Sequence, residues 1–158
     1  MRTLYKLICA ASIVASSLVA GTLALQIGNP AENPEAQEKN AVLVARVTAC
    51  QSPEKTAITA TAEGTENGIR RSIPLKIIRL TTPGTFAVLH EWPKQGAWAV
   101  KLIATNPEYK DYATGVVVPF ERTSFHWAAI KHFSHRPTDR EVAEVLTRIP
   151  SRPLSSIN

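Results

Sequence analysis

Ala97–Thr105 reads AWAVKLIAT, with Trp98, Val100, Leu102 and Ala104 on one side of an extended chain and Lys101 on the other. A period of two sustained this far marks a half-buried strand, not a helix. The same period continues outward in both directions. Upstream, Pro93-Lys94-Gln95-Gly96 supplies a tight turn, and residues 85–92 send Phe86, Val88, His90 and Trp92 to one face. Thr82-Pro83-Gly84 is a further turn. The strand before it, residues 72–80, contains Pro74, which cannot donate to a ladder and so predicts an edge strand or a bulge. Residues 56–62 alternate Ile58, Ala60 and Ala62 with Thr59 and Thr61, followed by turn signals at Gly64 and Asn67-Gly68. Ala41–Thr48 (AVLVARVT) places Leu43, Ala45 and Val47 on a shared face. Downstream, Asn106-Pro107-Glu108 ends the central strand, and residues 112–120 add another through Val116 and Val118. Residues 125–132 form a last strand, although the Ala128-Ala129 centre would also suit a helix.

Seven short strands separated by turn signals predict a mainly β chain, an immunoglobulin-like antiparallel β-sandwich over residues 41–135. The period then changes. Thr138-Asp139-Arg140-Glu141 fits a capping box, with Val142, Val145, Leu146 and Ile149 at helical spacing and Pro150 as the stop. Residues 136–158 are therefore read as a short C-terminal α-helix and tail, the helix closing the open side of the sandwich.

The N-terminus follows a different logic. Arg2 and Lys6 precede an uncharged apolar run over residues 7–25, and polar Gln26 follows. Basic, then apolar, then small and polar is the order of an export signal, assigned here to residues 1–24. The run is rich in Ala, Ser, Gly and Thr, which weakens retention in a bilayer. Small residues stand at the −3 and −1 positions as Thr22 and Ala24, or as Val19 and Gly21. Residues 25–40 contain QIGNPAENPEAQEKN, whose two Pro, three Glu and few apolar groups predict a flexible linker. The working part is accordingly placed outside the cytoplasm, periplasmic or secreted. Membrane contact is expected only through the N-terminal segment, if uncleaved.

Loss of Arg2 and Lys6 would lower the net charge from +5 to +3, and the remaining cations are scattered. That distribution disfavours nucleic acid as a partner. Cys9 departs with the signal and Cys50 remains alone, so no internal disulfide is expected.

Three segments, IPLKIIRL (73–80), PGTFAV (83–88) and GAWAVKLIA (96–104), resemble the YtkA-like and related exported immunoglobulin-like domains. The resemblance implies a two-sheet fold with Trp98 packed between the sheets, and an exported location. It carries no catalytic residue over. Some relatives are associated with copper handling or oxidase assembly. The Met-rich clusters of a Cu(I) site are missing here, because the only methionine is Met1.

The histidines are the one suggestive set of ligands. His126 and His132 would lie about 20 Å apart on an extended strand, too far to share an ion. His132 and His135 can meet across a bend at Ser134, with His90, Asp139 or Glu141 needed to complete a site. Neither G-x-S-x-G nor H-E-x-x-H occurs, and no Gly-rich phosphate loop is present. Trp92, Trp98 and Trp127 are read as buried rings, leaving Tyr109 and Tyr112 as the surface-contact candidates. The function expected is that of an exported, non-enzymatic β-sandwich module, without cofactor, binding a protein or cell-envelope partner. The alternatives are a periplasmic metal-binding protein using His132 and His135 with His90, and a carbohydrate-binding module.

Overall fold

A computed structural model describes residues 23–48, 52–66, 68–108, 112–121 and 124–149 of the chain. Among the described residues, ten strands form two antiparallel sheets. The first sheet has the order β1-β2-β6-β5, from Ala24–Gly28, Ala41–Thr48, Thr85–Leu89 and Ile77–Arg79. The second runs β10-β8-β7-β3-β4, from Lys131–Phe133, Ala113–Glu121, Ala97–Thr105, Ala57–Glu66 and Ile69–Pro74. A two-residue strand, β9 (Ser124–Phe125), pairs with the far end of β8. Leu43, Ala45, Val47, Phe86 and Val88 from one sheet share a buried core with Ala60, Ala62, Trp98, Val100, Leu102, Ala104, Val116 and Val118 from the other. The strand facing read from AWAVKLIAT holds in full, because every second residue is removed from water between the sheets.

Pro74 ends β4 at the edge of the second sheet, and the chain crosses at Leu75-Lys76 into β5 at the edge of the first. One predicted strand is therefore two, both at edges, as the missing N–H of proline requires. Gly64 lies within β3, and the turn comes later, at Gly68 (φ +79°). Residues 125–132 also divide: β9, a 3-10 turn at Trp127–Ala129, and β10.

The predicted linker is ordered. Leu23 and Leu25 are core residues, and β1 pairs with β2 from Ala24↔Thr48 to Gly28↔Val44. Each Asn-Pro pair that suggests a spacer instead starts a helical turn. The Asn29 side chain accepts from the Ala31 N–H at 3.0 Å, and Asn33 accepts from Ala36 N–H at 3.0 Å. Proline at the first helical position needs no N–H there, so Asn-Pro serves as a cap. The resulting helix α1 (Pro34–Glu38) buries Ala36 against Val44, Leu80 and Ala87 on the outer face of the first sheet.

Helix α2 (Asp139–Thr147) plays the corresponding part on the other side. Both halves of its capping box form: Thr138 N–H donates to Glu141 Oε2 at 2.8 Å, and Glu141 N–H donates to Thr138 Oγ1 at 3.3 Å. Val142 and Val145 pack on Ala99 and Val117. The helix thus covers the outer face of β7 and β8, rather than closing the open side of the sandwich. Gly115 admits the approaching chain, since a β-carbon there would collide with the ring of Pro137. Among the described residues no helix is long and apolar enough to cross a membrane.

Candidate functional site

A row of rings runs from inside the molecule to its surface. His90 meets Trp92 edge-on at 4.3 Å between centroids, and Trp92 meets Phe120 at 5.0 Å. Phe120 meets Phe125 at 5.5 Å, and Phe125 meets Trp127 at 4.9 Å. Trp92 and Phe120 are buried, whereas Trp127 is 53 % exposed. The 3-10 turn at Trp127–Ala129 causes this difference. An extended chain would have kept Phe125 and Trp127 on one buried face; the tighter turn rotates the second ring outward.

Two concavities lie near this turn, and the exposed indole lines the second. On one side, a pocket of about 210 Å³ lies under the C-terminal end of α2, its apolar wall made by Pro119, Phe120, Ala128, Ala129, Val145 and Ile149. Glu121, His126, Lys131 and Arg148 also line it, with His126 Nε2 3.2 Å from Glu121 Oε2. On the other side, Trp127 and Phe125 line a more open groove with Asn29 and Pro30 of the turn after β1 and with Ala41 and Val42 of β2. An apolar pocket with a few polar groups, and a separate groove lined by a half-exposed tryptophan, suit recognition of a ligand or partner.

The predicted contacts are distributed otherwise. Tyr112 is half-buried and packs against the core. Tyr109 lies outside the described residues. Trp127, read as a buried ring, is the exposed one. The sequence signal for it was the Ala128-Ala129 pair, which breaks the strand pattern directly after the tryptophan.

Nor do the histidines converge. His132 sits on β10 opposite Val116 of the second sheet, while His90 follows β6 of the first and rests against Trp92. His135 Nε2 lies 3.1 Å from Glu141 Oε1, on the carboxylate that also closes the helix cap. Hydrogen bonds from Thr138, backbone first and hydroxyl second, hold the Glu141 carboxyl below its usual range, with a smaller contribution from His135. Among the described residues no three His, Cys, Asp or Glu side chains are placed to hold a metal ion.

Strand alternation alone does not single out the buried acid on β3. Glu63 is 3 % exposed on the outer face of the second sheet. Its Oε1 accepts from Thr61 Oγ1 and Ser72 Oγ at 2.9 Å each and from Lys101 Nζ at 2.8 Å, with Arg70 4.0 Å from Oε2. Burial raises its proton affinity, but the bonds from Lys101, Ser72 and Thr61 outweigh burial and keep the carboxyl below the ordinary value. A carboxylate with three donors on one oxygen is held in place. The signal was Lys101, the single charge in AWAVKLIAT, directly across the ladder from Thr61.

Comparison of the chain with protein-family models, with curated proteins and with solved structures returns no match.

Proposed function

We propose that this chain is an exported, non-catalytic β-sandwich of immunoglobulin type that binds a protein or cell-envelope partner through the surface around Trp127. Strand order supports the fold reading. Lettered along the chain, β1-β2-β6-β5 corresponds to A-B-E-D, and β4-β3-β7-β8 to C′-C-F-G. The basic–apolar–small order of the first residues supports export.

The observation that carries the binding reading is the half-exposed Trp127 lining the open groove that it shares with Phe125, Asn29, Pro30, Ala41 and Val42. Tryptophan is the residue type most enriched at the energetic centre of interfaces, where its truncation typically costs 2 kcal/mol or more. The test is crosslinking in intact cells with the full chain and its Trp127→Ala variant. Loss of the principal crosslinked species by roughly thirtyfold, with melting unchanged, is the expected result. An identical set of crosslinked species would remove Trp127 from the interface. Binding on a glycan array that disappears in the same variant would redirect the reading to carbohydrate.

A further inference from the structure

The inner end of the apolar N-terminal run belongs to the folded core. Leu23 is 1 % exposed and Leu25 3 %, both packed in the cluster between the two sheets, and Ala24 is paired with Thr48. Residues 23–25 therefore serve the sandwich and cannot also be discarded without cost. Toward the inner end of the run, two bonds meet the small-residue rule for a signal peptidase: the one after Ala24, with Thr22 at −3, and the one after Gly21, with Val19 at −3. Cleavage after Ala24 would delete Leu23 from the core. It would also place a new ammonium group on Leu25, whose side chain is part of the core. Cleavage after Gly21 leaves the new ammonium on Thr22, with Leu23 and all of β1 intact.

We propose that the processing site is the Gly21–Thr22 bond, and that the mature protein begins at Thr22. The proposal rests on the export reading and sharpens it. The hydrophobic segment of the signal then runs over residues 7–19, thirteen residues, within the 7–15 characteristic of cleaved signals. The longer apolar run that suggests a membrane anchor is two segments in series, a signal core and the start of a strand.

The experiment is expression of the full precursor in an exporting bacterial host, with intact mass and N-terminal sequencing of the exported protein. An N-terminus at Thr22 is expected. A start at Leu25 or beyond would overturn the proposal while leaving export standing; retention of Met1 would overturn the cleavage reading itself, and the two are distinguished by mass. A second arm tests the core argument directly. Leu23→Ala in the same precursor should lower the melting temperature of the exported product by roughly 10 °C, and Leu23→Val by a few degrees. Melting within about 1 °C of the parent in both variants would mean that β1 is dispensable, and would remove the reason for preferring Gly21.

Discussion

Trp98 on β7 and Gly64 on β3 are cross-strand partners, and the indole lies over the bare α-carbon of the glycine. A β-carbon at position 64 would fall on the indole and on the Ala97 carbonyl oxygen. The indole N–H donates to the Gln95 carbonyl at 2.6 Å, which fixes the ring in that position. Trp98→Ala should cost about 3–5 kcal/mol and Gly64→Ala about 1–3 kcal/mol by denaturant unfolding. In the Trp98→Ala background, Gly64→Ala should cost clearly less, because only the strain against Ala97 persists. Strict additivity of the two changes would show that the ring does not rest on the glycine.

Glu63 makes stability depend on acid. Its folded-state proton affinity is depressed, so its contribution is fully present above the ordinary carboxyl value of 4.5 and is lost as pH falls through the lower folded value. Glu63→Gln should therefore flatten the decline in melting temperature below about pH 4.5. At pH 7 the same variant should be less stable by about 2–3 kcal/mol, since Lys101 loses its partner. An unchanged acid limb would show that other carboxylates govern it.

His90 acts in a different window. Burial, with a lesser push from Lys94, depresses its proton affinity below 6.5, and among the described residues its buried Nε2 has no hydrogen-bond partner. Below pH 6.5 the unfolded chain takes up a proton that the folded chain refuses, so stability falls until the folded value is reached. His90→Phe keeps the ring against Trp92 and should abolish that slope below pH 6.5. Persistence of the slope in melting curves would assign it to another histidine.

On α2 the cap and the buried stripe should separate in size. Thr138→Ala should cost about 1 kcal/mol and Val145→Ala about 2 kcal/mol by denaturant unfolding. A larger loss at the cap than at the stripe would mean that the helix does not depend on packing against Ala99 and Val117.

Replacing His132 and His135 together with Ala should leave zinc affinity at pH 7 unchanged in calorimetric titration, since His135 is engaged with Glu141 and His132 lies apart on β10. Stoichiometric micromolar binding that the double variant abolishes would instead favour the metal-binding alternative.

The parts legible in the sequence are those whose pattern is set by one long strand and its burial. Ala41–Thr48 and Ala97–Thr105 have the bounds that their alternation predicts, because both cross the middle of a sheet. β1 and α1 were not legible. β1 continues the apolar run read as a signal, and α1 is held by later residues: Ala36 packs on the first sheet, and Glu35 Oε2 accepts from the Thr81 N–H at 2.9 Å. The candidate site was obscured for a related reason. Phe125 and Trp127 have the spacing of a buried face, and only a local change to a 3-10 turn separates them. Glu63 reads as one more polar residue of an alternating strand until β4 and β7 bring Ser72 and Lys101 to it.

The ends of the six-stranded sheet also constrain how anything can be recognised there. β4 carries Arg70 and Arg71 and stops at Pro74, and the outer side of β8 is divided between β9 and β10 by the turn that bears Trp127. An incoming strand would find charge and a missing donor at one margin, and two short, offset segments at the other. Continuous main-chain pairing with a guest peptide is therefore discouraged on both sides. Selectivity at the Trp127 surface should come from side-chain shape, and concentrated protein should resist the edge-to-edge stacking that seeds fibrils.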